Sequence, residues 1–454
     1  MTPPTLPTLP TALPAAATPT PSDPIPTDPT STDPTPIDGE RDDLAYLSGP
    51  AAGEIAAAVL AGEGVALKSW VLDRVHPRPG VGVTVGLVVH WSRPGGPPVQ
   101  EYLCVTTSRL DARAATRPGV VALADGDRTL HLWRHPADPE LPGLAAACQA
   151  VDADLDLVAY RPLRRAVVRV RPHDGVAYGV ADGPADGAAA GSAVTYRKVV
   201  RPRRVEALHA RHVLLRSAGV PVPASLGWTP DGVVTLTSLD GPSLAHALAA
   251  DGARALDPVA FLDLLTSLPA AVCDLRRRAP WSEHALVYAR GAAFRLPRAA
   301  AELSELGAQI AELVSRTDPG PVVPTHGDLY EANLLVTDAE ITGLLDIDSV
   351  GPGHRVDDLA CLLGHALVLP CLAPAVYPLA PAAVVRWLTV FDAVVDPAAL
   401  RARVAAVVLS LVAGATGSPG DPVDAAGREA AAAQDATARM ALARDWTDAA
   451  LAAL

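Results

Sequence analysis

THGDLYEANLLV, residues 325–336, contains the only asparagine in a chain of 454 residues: Asn333, five positions after Asp328. Lysine is almost as rare. Lys68 and Lys198 are the only two, so arginine supplies 35 of the 37 basic residues. Ala, Pro, Gly and Asp are abundant, while Phe and Met number three and two. This composition suggests drift in a GC-rich coding sequence, in which Asn gives way to Asp and Lys to Arg wherever the site tolerates the exchange. A survivor marks a place where the chemistry resists the swap.

Around Asn333 the chemistry has a definite shape. The run ITGLLDID places Asp346 at the end of an apolar strand, 13 residues after Asn333. A carboxylate such as Asp328 accepts a proton from a hydroxyl when the electrophile is strongly activated. A hard cation such as Mg2+ takes oxygen ligands, here the amide oxygen of Asn333 and the carboxylate of Asp346 beside phosphate oxygens. An aspartate at 333 would add a third negative charge to that group. Lys198, at the end of the strand VTYRKVV, supplies a compact cation for nucleotide phosphates. Together these are the parts of phosphoryl transfer.

The bulk numbers narrow the class. At this length the chain holds two or three domains. It has 49% apolar residues and no unbroken apolar run of about 18. The five cysteines are scattered, with no CxxC, and no basic-then-apolar leader opens the chain. A reduced cytoplasmic protein without structural zinc is expected, with no membrane and no nucleic-acid partner. The formal charge of -13 opposes any fold that tracks a nucleic-acid backbone.

Residues 1–42 are Pro/Thr-rich and offer almost nothing to bury, which predicts a disordered tail. A helix at about 51–62 and strands at VALKSWVLDRV, GVTVGLVVHW and EYLCVTTSRL predict an antiparallel meander, closed near residue 150 by TLHLWRHPADPELPGL. DLVAYRP, LRRAVVRVR, VTYRKVV, VPVPASLGWTP and VVTLTSL add five strands, with one helix at RVEALHARHVLLRSAG and a mobile Gly/Ala/Asp loop at 173–192. Beyond 242 the pattern is helical except for NLLV and ITGLLDID, which bracket a turn at Thr337–Glu340.

HGDLYEAN resembles the H-G-D-x-x-x-x-N catalytic loop of the aminoglycoside phosphotransferase and choline kinase group. LLDIDSVGPGHRVDDLA is similar to that group's metal-binding motif. The resemblance implies an α+β, bilobal protein-kinase-like fold: a small β-rich N-lobe at 151–240, a helical C-lobe at 241–454, and a mixed cap at 43–150. WRHPADPELPGL also resembles the cap of maltokinase-like phosphotransferases. It further implies Asp328 as catalytic base, Asn333 and Asp346 as Mg2+ ligands, and Lys198 on the α/β-phosphates of ATP with Glu206 as its ion-pair partner. Adenine would meet the connector at Thr237–Leu239, with His326 and Asp348 in support, Asp358 bracing the loop, and Arg164 or Arg165 near the phosphates. The expected acceptor is a hydroxylated small metabolite such as a sugar, amino sugar or aminoglycoside, held near Trp281 and His284. Tyr330 stands where many members carry His, and His354-Arg355 where Asp-Pro is common. A nucleotide-binding pseudokinase is the alternative. A metallohydrolase using His326, His354, His365 and Asp346 lacks any HxxxH or HxH spacing.

Overall fold

A computed structural model describes residues 37–78, 81–93, 95–173, 194–416 and 425–454. Most of the expected tail and all of the Gly/Ala/Asp loop apart from His173 lie outside these residues. The chain divides into two units: the described part of Ile25–His209 with Ser225–Ser238, and Ala210–Ala224 with Leu239–Leu454.

The first unit begins with α1 (Ile37–Ser48) and α2 (Ala51–Gly62), so helix starts six residues before the expected end of the tail. An antiparallel sheet follows, made of β1 (Ala66–Arg78), β2 (Gly82–Ser92), β3 (Val99–Thr106), β4 (Val120–Asp125) and β5 (Arg128–Arg134), in the order β1-β2-β3-β5-β4. Short helices α3 (Ala112–Ala115) and α4 (Leu144–Ala147) join the segments.

Strand alternation sends Val85, Leu87, Leu103, Val105, Leu130 and Leu132 to one face, against Leu47, Ile55 and Ala56 of the two helices. The opposite face carries Tyr102, Cys104 and Trp133 and is equally dry. It packs on Leu141, Leu144 and a second antiparallel sheet through Tyr160, Ala166, Val168, Val199 and Val233. That sheet contains β6 (Ala153–Arg161), β7 (Arg165–Pro172), β8 (Thr195–Val200), β9 (Ser225–Trp228) and β10 (Val233–Thr237), ordered β6-β7-β8-β10-β9. With both faces apolar, the first sheet cannot end its core at residue 150. The cap and the five-stranded lobe, separated at that residue in the sequence reading, share one core.

α5 (Pro202–Ser217) leads from β8 towards the second unit, ending before the left-handed Gly219. The second unit is helical: α6 (Leu244–Asp251), α7 (Val259–Thr266), α8 (Ala285–Arg295), α9 (Ala300–Arg316), α10 (Arg355–Leu372), α11 (Ala380–Phe391), α12 (Pro397–Val412) and α13 (Ala425–Ala452). α9 buries Leu303, Leu306, Gly307, Ile310 and Leu313, one helical stripe. α12 is buried along most of its length and serves as the central post. Among the described residues no single helix is long and apolar enough to cross a membrane.

Two small antiparallel pairs interrupt the helices. β12 (Leu334–Thr337) and β13 (Glu340–Leu344) form the expected hairpin, its turn made by Asp338 and Ala339 at positive φ. β11 (Val322–Thr325) pairs with β14 (Gly351–His354), from Val322 opposite His354 to Thr325 opposite Gly351. The proline in each of these four-residue strands hides them from a pattern reading.

Candidate active site

β11 ends at Thr325 and delivers His326, Gly327 and Asp328 into a tight loop. Gly327 has φ +78, and a Cβ there would stand 2.7 Å from the Ser349 carbonyl oxygen. Only glycine fits both the backbone conformation and the space. The β11–β14 pair also sets the start of α10 beneath this loop. There the buried Asp358 accepts the N–H of His326 at 2.8 Å and of Gly327 at 2.7 Å. Burial pushes its carboxyl up to about 7 against those two N–H groups, which hold it down. Asp358 is a brace for the loop.

His326 is fully buried, and its Nε2–H donates to the Leu345 carbonyl at 3.0 Å. Burial lowers its pKa, so the ring stays neutral and ties the loop to the residue before Asp346.

Asn333 closes a short 3-10 turn, Glu331–Asn333, and its N–H donates to the Tyr330 carbonyl at 2.9 Å. Its side-chain Nδ2 donates to the Asp328 carbonyl at 3.0 Å. The amide nitrogen is thereby turned to the loop, and Oδ1 is the atom left to face a cation. Hairpin register then decides what lies alongside. Leu334 pairs with Leu344, so Asn333 is carried opposite Leu345, whose N–H it accepts at 2.8 Å. Asp346 is the next residue and leaves the strand at φ 54, ψ 52, a left-handed conformation costly for a residue with a Cβ. The kink turns the chain into a 3-10 turn, Ile347–Ser349, that carries Asp348. Asp328, Asn333 and Asp346 therefore converge on one loop-and-hairpin unit, with Asp328 and Asp346 half-buried.

The oxygen-only donor set fits a hard divalent cation. It offers one carboxylate and one amide oxygen and leaves other positions for phosphate and water. Among the described residues no three His, Cys, Asp or Glu side chains form a metal cluster. The three histidines of the metallohydrolase alternative are used separately. His326 binds Leu345, His354 Nδ1 donates to the Gly320 carbonyl at 2.9 Å, and His365 stacks on Tyr330 at 4.4 Å between centroids.

In the first unit, Lys198 is buried in β8, flanked by Val167 of β7 and Val234 of β10. Glu206, its expected ion-pair partner, lies on α5. α5 turns Val205 and Leu208 inward, and this phase leaves Glu206 exposed. Thr237 ends β10 opposite Thr195, and the first unit gives way to the second between Ser238 and Leu239. Trp281 is buried against Tyr288, 5.8 Å between centroids, and lines a small cavity with Thr325, Gly327, Ser349 and Asp357. His284 packs edge-on to the same Tyr288.

One residue escaped the sequence reading. Glu331 is fully buried, and among the described residues neither carboxyl oxygen has a hydrogen-bond partner on another residue. Burial, aided by the nearby Asp328, pushes it up to about 7. Its position inside a motif drew attention to its neighbours, though an acid between Tyr330 and Ala332 in an apolar stretch was itself a signal.

A β-rich lobe with one helix, followed by a helical unit holding this loop and hairpin, is the element order that the family resemblance implies. Residues 157–376 match the phosphotransferase enzyme family, and the chain carries a domain of that family there. An aminoglycoside 3'-phosphotransferase from Escherichia coli is 29% identical over 159 residues, which are 32% of this chain and 56% of that protein. The chain thus spans about half the length of the curated relative it matches. Among solved structures, a macrolide 2'-phosphotransferase from Brachybacterium faecium is 21% identical, covering 64% of this chain and 95% of its own, with TM-score 0.35. A choline kinase from Cryptosporidium parvum Iowa II is 13% identical, covering 68% and 92%, with TM-score 0.40.

Proposed function

We propose that this protein is an ATP-dependent phosphotransferase acting on a hydroxyl group of a small molecule. The observation that carries the reading is the convergence of Asp328, Asn333 and Asp346, fixed by the Asn333–Asp328 hydrogen bond and the register of one hairpin. Asp328 takes the acceptor's hydroxyl proton as that oxygen bonds to the γ-phosphorus of ATP. The bridging P–O bond breaks, and ADP leaves with its electron pair. Asn333 and Asp346 would hold Mg2+, which when bound neutralises phosphate charge. Lys198 supplies a cation for the α/β-phosphates. Asp358 and His326 keep the loop rigid, so that the geometry is set before the substrates arrive. The aminoglycoside relative makes sugars, amino sugars and aminoglycosides the first acceptors to try. The likeness of residues 133–144 to maltokinase-like caps adds maltose.

Acceptor-dependent ADP release tests the reading. The purified chain with MgATP should release ADP with at least one acceptor of such a panel, and Asp328→Asn should lower kcat at least about hundredfold while leaving ATP affinity nearly unchanged. Failure to bind MgATP, together with no release across the panel, would overturn it.

A further inference from the structure

The turn between β6 and β7, Arg161 to Arg165, holds a non-glycine residue in a left-handed conformation, Leu163 at φ 65. Such a conformation persists only where the surroundings over-determine it. Here the surroundings come from the segment after β5. Asp138 is fully buried, and its Oδ2 accepts the Leu163 N–H at 2.8 Å. The same carboxylate accepts the Tyr160 hydroxyl at 2.8 Å and the Glu140 N–H at 2.9 Å, and Tyr160 in turn receives the Trp133 indole N–H at 3.0 Å. The carbonyl of Leu163 is held as well. Arg201 Nε donates to it at 3.0 Å, and its partner carboxylate is Glu140, also at 3.0 Å. Both backbone polar groups of one turn residue are thus captured from residues 138–140 and Arg201.

The segment carrying Asp138 is itself anchored. Gly143 donates its N–H to the Asp231 carbonyl at 3.1 Å, and a Cβ at 143 would stand 2.6 Å from Val233. The turn is clamped from the side of Asp138 and Arg201.

We propose that Asp138 is a positioning residue for the nucleotide phosphates: by fixing Leu163 it sets the arginine-bearing β6–β7 turn. This rests on the kinase reading above and on the family resemblance, which implies Arg164 or Arg165 near the phosphates. A sequence without a glycine-rich phosphate loop gains rigidity from a neighbouring structural segment, while a glycine loop would have to be ordered by the ligand.

The test uses the full chain, Asp138→Ala, and Val105→Ala as a control. Val105 lies on the other face of the first sheet and does not touch the turn, so its variant matches the loss of stability alone. Should Asp138→Ala not fold, Asp138→Asn takes its place, with the same direction expected. Amide hydrogen exchange at residues 161–166 is measured without nucleotide, and MgATP affinity by calorimetry. The expected result is exchange faster by about tenfold in the turn and a Kd for MgATP weaker by about tenfold, neither seen in Val105→Ala. Unchanged exchange overturns the clamp. Faster exchange with an unchanged Kd overturns the positioning role, and so does an equal Kd change in the control. If the wild-type chain binds no MgATP, the kinase reading falls and takes the positioning role with it. The exchange result stands apart, because it is read without nucleotide.

Discussion

Replacing Asn333 by Asp changes one NH2 into an oxygen, and the structure gives the consequence. Nδ2 of Asn333 donates to the Asp328 carbonyl at 3.0 Å from a side chain only 5% exposed. In the variant two acceptors face each other across that gap. Losing the bond and leaving a buried carbonyl unsatisfied costs about 1–3 kcal/mol, a fall in Tm on the order of 5 °C for a unit of this size. The side chain's size alone would predict a silent substitution, and the hydrogen bond corrects that. Chemistry should suffer more than stability. The new carboxylate stands beside Asp328 and Asp346 and raises the base's pKa by like-charge repulsion, while the peptide that carries the base loses its anchor. A fall in kcat of roughly a hundredfold or more follows. Denaturant melts with steady-state kinetics over a range of Mg2+ concentrations measure both effects, and Asn333→Ala separates the lost bond from the added charge. A variant with unchanged Tm and near-full activity at every Mg2+ concentration would refute the reasoning and make the lone asparagine a chance survivor.

Gly327→Ala forces a Cβ to 2.7 Å from the Ser349 carbonyl at φ +78. A destabilisation of about 2 kcal/mol or more is expected in denaturant melts, and a silent substitution there would mean that the loop is not held as described. Glu331, held at about 7 when folded against an ordinary 4.5, binds its proton more tightly in the folded state. Its contribution to stability is therefore lost as pH rises from about 4.5 to 7. Glu331→Gln should flatten that slope and be more stable than wild type at pH 8, by about 3 kcal/mol at most. Melts of both proteins at pH 5 and 8 check the sign. Deleting residues 1–36 should leave Tm within about 1–2 °C. Deleting through residue 48 should lower it clearly, because Leu47 is fully buried against the first sheet. Calorimetry of the two truncations decides.

What the sequence determined by itself was local. The spacing of Asp328, Asn333 and Asp346 pointed to the proposed chemistry, because a hairpin joins those residues over a short stretch and two short runs bracketing a turn show the hairpin. Strand patterns gave the second sheet and β1 to β3 of the first but not β4, and helical periodicity gave the helical unit. Tertiary structure decided the rest, for a common reason: each missing fact depended on packing between segments distant in the chain. Apolar residues on both faces of β2, β3 and β5 do not say what covers them, so a boundary drawn at residue 150 cut through a shared core. Proximity in sequence set Glu206 near Lys198, while the phase of α5 decided that Glu206 is exposed. Two four-residue strands with a proline each carry no pattern and are fixed only by the pairing of two segments distant in the chain. Asp138 lies within WRHPADPELPGL, but that stretch does not show its role, which lies in the backbone of Leu163, 25 residues away. Side-chain patterns are written in sequence, but a hydrogen bond to a distant peptide group is fixed only when the chain folds.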